Sequence, residues 1–293
     1  MSTTARTLET PRRIRERIPW PIFLLLLIAI LYAPILKLLV SQWWTDQDYA
    51  HGFFVPLFSG YVLWHHRAHW VKSEVKPSNF GFLVMVVGIA LLLGGSLGAE
   101  VFTSRFSLLV LLAGMVLFLG GWKLLRSVSF PLGFLMFMIP LPVIIYNQIT
   151  FPLQLLASRV ATSWLEIMQV PVLREGNVLI LPNYSLEVVE ACSGVRSLLT
   201  LISLAVAYGY LTDRRRWVRY TLPVLMVPIA IVSNAIRILG TGFLTYHFGP
   251  QAAEGFFHEF SGWIIFLSAL VLMVVCHMIL RRIGKDQEQI AHA

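Results

Sequence analysis

Eight apolar stretches, most of them close to 20 residues long, recur along this chain. They fall at about 20–40, 51–66, 80–98, 106–122, 128–147, 194–211, 218–239 and 258–280. A helix needs about 20 predominantly apolar residues to cross the hydrocarbon of a bilayer. Of the 293 residues, 57% are hydrophobic and 13% charged, and the mean hydropathy is +0.73. A soluble domain of this length could not bury so much apolar surface, so the solvent for most of the chain is lipid. The second stretch is short and contains Pro56. It counts as a span because the alternation of charge requires it.

That alternation sets the orientation. Segments 1–19, 65–79, 123–126, 212–219 and 281–293 hold 17 of the 23 lysines and arginines. The remaining 6 are Lys37, Arg105, Arg159, Arg174, Arg196 and Arg237. Basic residues concentrate on the cytoplasmic side of a membrane protein, so both termini are expected inside, with eight crossings. The fold class read from this pattern is an all-α polytopic membrane protein with about eight transmembrane helices. The expected organisation is a basic cytoplasmic N-terminus over 1–19, one transmembrane domain over 20–283, and a cytoplasmic tail over 284–293. A sequence pI near 9.8 is thereby explained by topology, and no nucleic-acid partner is called for. The run after Pro19 continues to Val40 with no small-x-small site behind it, which reads as an uncleaved signal anchor.

The longest outer connection is 148–193. Its first part, Ile149 to Val170, mixes Leu, Ile and Trp with Gln154, Arg159, Ser163 and Glu166, and reads as an interfacial or partly re-entrant helix. Asn177 to Glu190 has β-branched runs around Pro182-Asn183, which predicts a small β-hairpin leading to Cys192.

Three reactive side-chain types then fall at one expected level. Segment 194–211 runs inward, so Cys192 lies just before its outer start. Segment 218–239 runs outward, so Arg237 lies near its outer end. Segment 258–280 runs inward, so His258 opens it at the outer side. A thiol ahead of a helix is activated by the positive end of the helix dipole, and a neighbouring cation lowers its pKa further. Ser193 and Gly194 are small enough to let backbone N–H groups approach an oxyanion. Asn234 lies one turn before Arg237 and can orient it. Read singly, each residue also has a plain structural use: Cys192 as a small packing residue, Arg237 as a snorkelling cation, His258 as a hydrated interfacial ring. His51 starts the second stretch beside Asp46 and Asp48, also on the expected outer face. The spacing of these residues with His258 matches no metal motif, and no cofactor is implied. Cys276 lies 18 residues beyond His258 in the same apolar segment, about 27 Å deeper. That excludes a disulfide with Cys192.

At these residues the sequence resembles the exosortase/archaeosortase family. The likeness rests on Ala191-Cys192-Ser193-Gly194-Val195-Arg196-Ser197, on Asn234-Ala235-Ile236-Arg237, on His258, on Asp48-Tyr49-Ala50-His51-Gly52-Phe53-Phe54-Val55-Pro56, and on Leu181-Pro182. It covers about residues 20 to 280. The resemblance implies a cysteine peptidase or transpeptidase of the bacterial inner membrane, with its site facing the periplasm. Cys192 is then the nucleophile, completed by Arg237 and His258, with Ser193, Gly194, Arg196, Asn234 and His51 in support. It implies substrates that are membrane-anchored proteins ending in a short Pro-Glu-Pro-like motif, a transmembrane helix and a basic tail (PEP-CTERM type). Histidine as the third residue favours the bacterial branch over the archaeal one. Some members carry an extra C-terminal soluble domain. This chain ends within about a dozen residues of its last expected span, so an accessory protein of an exopolysaccharide locus is the expected source of that part. The rival reading is a non-enzymatic component of exopolysaccharide export, a transporter or scaffold.

Overall fold

The computed structural model describes residues 19–71, 75–182, 184–187, 195–249 and 256–291, with the backbone alone for 19–21, 47, 69, 71, 195–197, 256–261 and 284–291. The chain forms two compact units, 1–142 and 143–293. Among the described residues five helical stretches are long and apolar enough to cross a membrane: Ile22–Thr45, Phe80–Leu97, Val101–Met138, Arg216–Phe248 and Gly262–Ile283. A shorter apolar helix covers Leu198–Thr212. The protein is therefore a helical polytopic membrane protein with a small sheet.

The first unit contains α1 (Pro19–Thr45), a 3-10 segment (Gln47–Phe53), α2 (Phe54–His65), α3 (Arg67–Val71), α4 (Phe80–Leu97) and α5 (Val101–Phe134). With 12 residues, α2 is about 18 Å long, well short of a hydrocarbon core of about 30 Å. The expected span 128–147 is not one helix. It is divided into the end of α5, a 3-10 turn (Leu135–Met138) and the start of the next helix. Pro140 and Pro142 explain the break, because each removes a backbone donor and drives the residue before it out of helical geometry. Two side chains cover carbonyls at this helix end: Trp43 Nε1 donates to the Met138 carbonyl at 3.0 Å, and His51 Nε2 donates to that of Phe137 at 3.2 Å. A second interruption falls inside α5 at Gly121, with φ 77° and ψ −174°, at the expected basic turn. A Cβ there would overlap the Lys76 carbonyl, so the chain can bend here only through glycine.

Helices α4 and α5 run antiparallel at very close range. Gly81, Gly88 and Gly95 are spaced by seven on α4. They face Phe118, Leu111 and Ser104 of α5 in turn, while Gly114 of α5 faces Met85. Lipid tails are as apolar as leucine, so close backbone packing replaces the hydrophobic drive in holding such helices together. A Cβ at Gly95 would come within 2.6 Å of Ser104 Oγ.

The second unit contains α6 (Val143–Ile167), β1 (Leu173–Glu175), β2 (Val178–Leu181), β3 (Tyr184–Glu187), α7 (Val195–Thr212), α8 (Arg216–Phe248) and α9 (Phe256–Ala291). The expected hairpin is present as β2 and β3, reversing between Leu181 and Tyr184. A third antiparallel strand, β1, precedes it across a two-residue turn at Gly176, whose φ is +64°. Helix α6 buries its polar stripe, Thr150, Gln154, Ser158 and Thr162, and exposes Phe151, Trp164 and Ile167. Its exposed side also carries Arg159, Ser163 and Glu166, and Ala157, Ala161 and Leu165 are buried with the polar stripe, so both faces are mixed. Ser158 Oγ donates to the Gly176 carbonyl at 3.2 Å and ties α6 to the sheet.

Helix α8 outruns its expected end at 239 and continues to Phe248. The extension has its own packing partners: Phe243 packs against the cluster of Ala157, Ala161, Leu165, Leu179 and Leu181, and Gly242 faces Leu165. The start of α8 is legible in sequence because Arg214 to Arg216 are polar. Its end is not, because residues 240–248 mix glycine, threonine and aromatics.

Replacing Gly81 with Val should push α5 away from α4 and lower stability by about 1–3 kcal/mol. Thermal unfolding in detergent checks this, with Gly94→Ala, where no atom lies within 4 Å of the added Cβ, as the silent comparison.

Candidate active site

Side-chain contacts fix how the last three helices of the second unit run. Arg215 Nη1 donates to the carbonyl of Arg281 at 3.2 Å, and the Arg237 guanidinium lies against Gly262. As numbering rises along α8 it falls along α9, so these helices are antiparallel. Tyr208, near the end of α7, meets His277, far along α9, with 3.3 Å between Tyr208 Oη and His277 Nδ1. Thus α7 and α9 run the same way. The starts of α7 and α9 therefore lie at one end of a three-helix bundle, the end toward which Arg237 projects. Arg237 stands 18 residues beyond Arg219, about 27 Å along the axis, close to one hydrocarbon thickness.

Between the helices the bundle is apolar. Leu198, Leu201 and Ala205 of α7 pack against Leu222, Met226 and Ala230 of α8 and Ala269 and Met273 of α9. Cys276 is a free thiol beside this cluster. At the Arg237 end a cleft opens, lined by Leu201, Ser233, Asn234, Arg237, Gly262 and Phe266 among others. It has room for about one water. Ser233 and Asn234 are buried, and Arg237 is partly so. The guanidinium therefore emerges from an apolar bundle into a small cleft of mixed lining, where Ser233 and Asn234 are its polar neighbours.

Gly262 is the residue that sequence reasoning missed. A Cβ built on it would lie 3.6 Å from Arg237 Nη2 and 3.7 Å from Cζ, an ordinary contact that alanine can make and a larger side chain cannot. It is also four residues after His258, which is the third residue of α9. Positions i and i+4 share a helix face, so the α9 position of His258 lies one turn from where the guanidinium rests. A small residue one turn after a candidate histidine is a signal the sequence did carry.

The other expected site residues divide as follows. Cys192, Ser193 and Gly194 lie outside the described residues, and α7 begins at Val195, three residues after Cys192. Arg196 is the second residue of α7 and His258 the third of α9; the side chains of both lie outside the described residues. Asn234 shares the cleft with Arg237. His51 belongs to the other unit. It sits in the 3-10 segment before α2, on the Phe137 carbonyl. Burial lowers its pKa below the ordinary 6.5, and the Phe137 hydrogen bond and Asp48 only partly offset this.

The transmembrane exosortase family model matches residues 43–275. The chain belongs to this family. No curated protein and no solved structure matches it. The match begins at Trp43, so it takes in the 3-10 segment of His51, and it runs through α7, α8 and most of α9. Family membership makes the chain a membrane-embedded sorting enzyme in general terms.

Two outcomes are expected from this geometry. Gly262→Ala should leave processing of a substrate nearly unchanged, whereas Gly262→Leu should displace Arg237 and slow it by about 100-fold. Substrate turnover in membranes carrying each variant measures the contrast. Because His51 is held neutral, the unfolded chain binds the extra proton as pH falls. Its contribution to stability should be complete above pH 6.5 and fade as pH drops below that value. His51→Gln should flatten this part of the curve of melting temperature against pH.

Proposed function

We propose that this exosortase is a cysteine peptidase or transpeptidase that removes C-terminal sorting signals of the PEP-CTERM type from exported proteins at the outer face of the bacterial inner membrane. The observation that carries the reading is the meeting of the Arg237 guanidinium with α9 one turn from His258, at the bundle end where α7 begins just after Cys192.

The chemistry follows from the residue types. The thiolate of Cys192 attacks the carbonyl carbon of the scissile peptide bond and pushes its electron pair onto oxygen. Arg237 stabilises that oxyanion, or the thiolate before it, from a cleft in which it is partly buried. The intermediate collapses, the C–N bond breaks, and His258 gives its proton to the departing amine. An acyl thioester remains on Cys192. Water or an amine then attacks it, His258 accepts the attacking group's proton, and the thiolate leaves. With water the reaction is hydrolysis; with an amine it is transpeptidation. Asn234, one turn before Arg237, orients the guanidinium or the substrate backbone. Ser193 and Gly194 leave room for backbone N–H groups near the oxyanion, and Arg196 adds positive charge in the first turn of α7. The substrate's own transmembrane helix docks against α7–α9, with its basic tail on the cytoplasmic side.

The apolar packing of Leu201, Leu222, Met226, Ala269 and Met273 between these helices favours an enzyme over a transporter, which needs polar groups near the midplane.

Cys192→Ala should leave a tailed substrate at full length in the membrane, and mass measurement of the substrate's C-terminus reads this directly. Normal processing in that variant refutes the assignment. Arg237→Lys should retain the charge but lose the planar donor fork, and slow processing by about 100-fold or more.

A further inference from the structure

The opposite end of the α7–α9 bundle carries a second polar assembly that takes no part in the proposed chemistry. Between Thr200 and Ala253 the sequence has one acidic residue, Asp213, against Arg214, Arg215, Arg216, Arg219 and Arg237. Asp213 is buried and turned inward. Its Oδ1 accepts from the Arg215 backbone N–H at 2.8 Å, its Oδ2 lies 3.5 Å from His277 Nε2, and its carbonyl accepts from Arg219 Nε at 2.6 Å. The carboxylate is used to fold the α7–α8 turn onto α9 and faces away from the surface.

Among the described side chains, the exposed charges at this end are cations. Arg214, Arg216, Arg281 and Arg282 are exposed. The hydrogen bond from Arg215 to the carbonyl of Arg281, 66 residues away in sequence, joins the two arginine groups into one patch. Exposed Trp217 and Tyr220 lie among them on α8, and exposed Met278, Ile279 and Ile283 lie beside them on α9. Apolar side chains next to guanidinium groups suit an amphiphile, with a charged head and a hydrocarbon tail. Nucleic acid would find no use for the aliphatic side chains. Guanidinium forks match the oxygens of a phosphodiester.

We propose that this patch, formed by the α7–α8 turn and α9, is a binding site for an anionic phospholipid, with the headgroup phosphate held by Arg214, Arg281 and Arg282 and the acyl chains lying along Met278, Ile279 and Ile283. The site is about one bilayer thickness from Arg237 and does not depend on the catalytic reading. A bound lipid adds negative charge beside these arginines and holds α9 against the α7–α8 turn.

The full-length protein, purified in detergent and exchanged into nanodiscs, tests this. Native mass spectrometry counts the lipids retained from mixtures of phosphatidylglycerol and phosphatidylcholine. We expect retention of phosphatidylglycerol over phosphatidylcholine, weakened about tenfold or more by Arg214→Gln/Arg282→Gln. The charge-matched Lys123→Gln/Arg126→Gln, in the other unit, should retain it normally. Unchanged retention in the first variant, equal loss in both, or equal retention of the zwitterionic lipid overturns the proposal. So does displacement by millimolar inorganic phosphate, which indicates a free-anion site. Arg214 and Arg282 are exposed, so their replacement should not unfold the protein. Should it do so, the wild-type protein still decides: phosphatidylglycerol retention must fall as ionic strength rises, and retention indifferent to salt refutes the proposal.

Discussion

A guanidinium resting on a bare stretch of helix organises the second unit. In lipid, helices gain little by hiding leucine from their surroundings, so what fixes their register is close backbone approach and the few polar contacts they share. The close approach of the Arg237 side chain to Gly262 is a case of the first, and the hydrogen bond of Arg215 to the Arg281 carbonyl is a case of the second. Two pins at opposite ends of α8 and α9 allow only an antiparallel pairing with one register. The apolar cluster of Leu201, Met226, Ala269 and Met273 then fills the space between the pins.

The two ends of this bundle solve different problems. At the Arg237 end a cleft opens beside buried Ser233 and Asn234, and α7 and α9 have their first turns toward that end. At the other end Asp213, His277 and Tyr208 are turned in on one another and on the α7–α8 turn. A buried carboxylate near a buried imidazole is tolerable in an apolar setting because each has partners. The closed end anchors the helices, which frees the open end to present charge. The layer beyond Arg237, made by α6, the small sheet and the last third of α8, gives the open end a rigid surround.

Much of the architecture is legible in residue pattern. The starts of α7 at Val195 and α9 at Phe256 fall within two residues of expectation, because Ser193-Gly194 and Glu254-Gly255 mark where the apolar runs begin. The hairpin at Leu181 and Tyr184 is legible from Pro182-Asn183. The division of 128–147 is not, because Pro140 and Pro142 sit in an otherwise apolar run and hydropathy alone does not register a missing donor. Strand β1 is also hidden: Leu173-Arg174-Glu175 is too short to alternate, and it is a strand only because β2 is beside it. The glycine series on α4 carries its information in the spacing of small residues, which an apolar count passes over.

Composition, basic-residue alternation and the Cys-Ser-Gly, Asn-x-x-Arg and His stretches were enough to determine a lipid-embedded helical protein and its exosortase family, since those are local properties of the chain. Which helices touch could only be decided in three dimensions. Lateral packing in a bilayer depends on the matching of small residues and single polar contacts between segments distant in sequence, and no single segment encodes its partner. The meeting of Arg237 with Gly262, and the joining of two arginine groups by Arg215 and Arg281, belong to that second kind of fact.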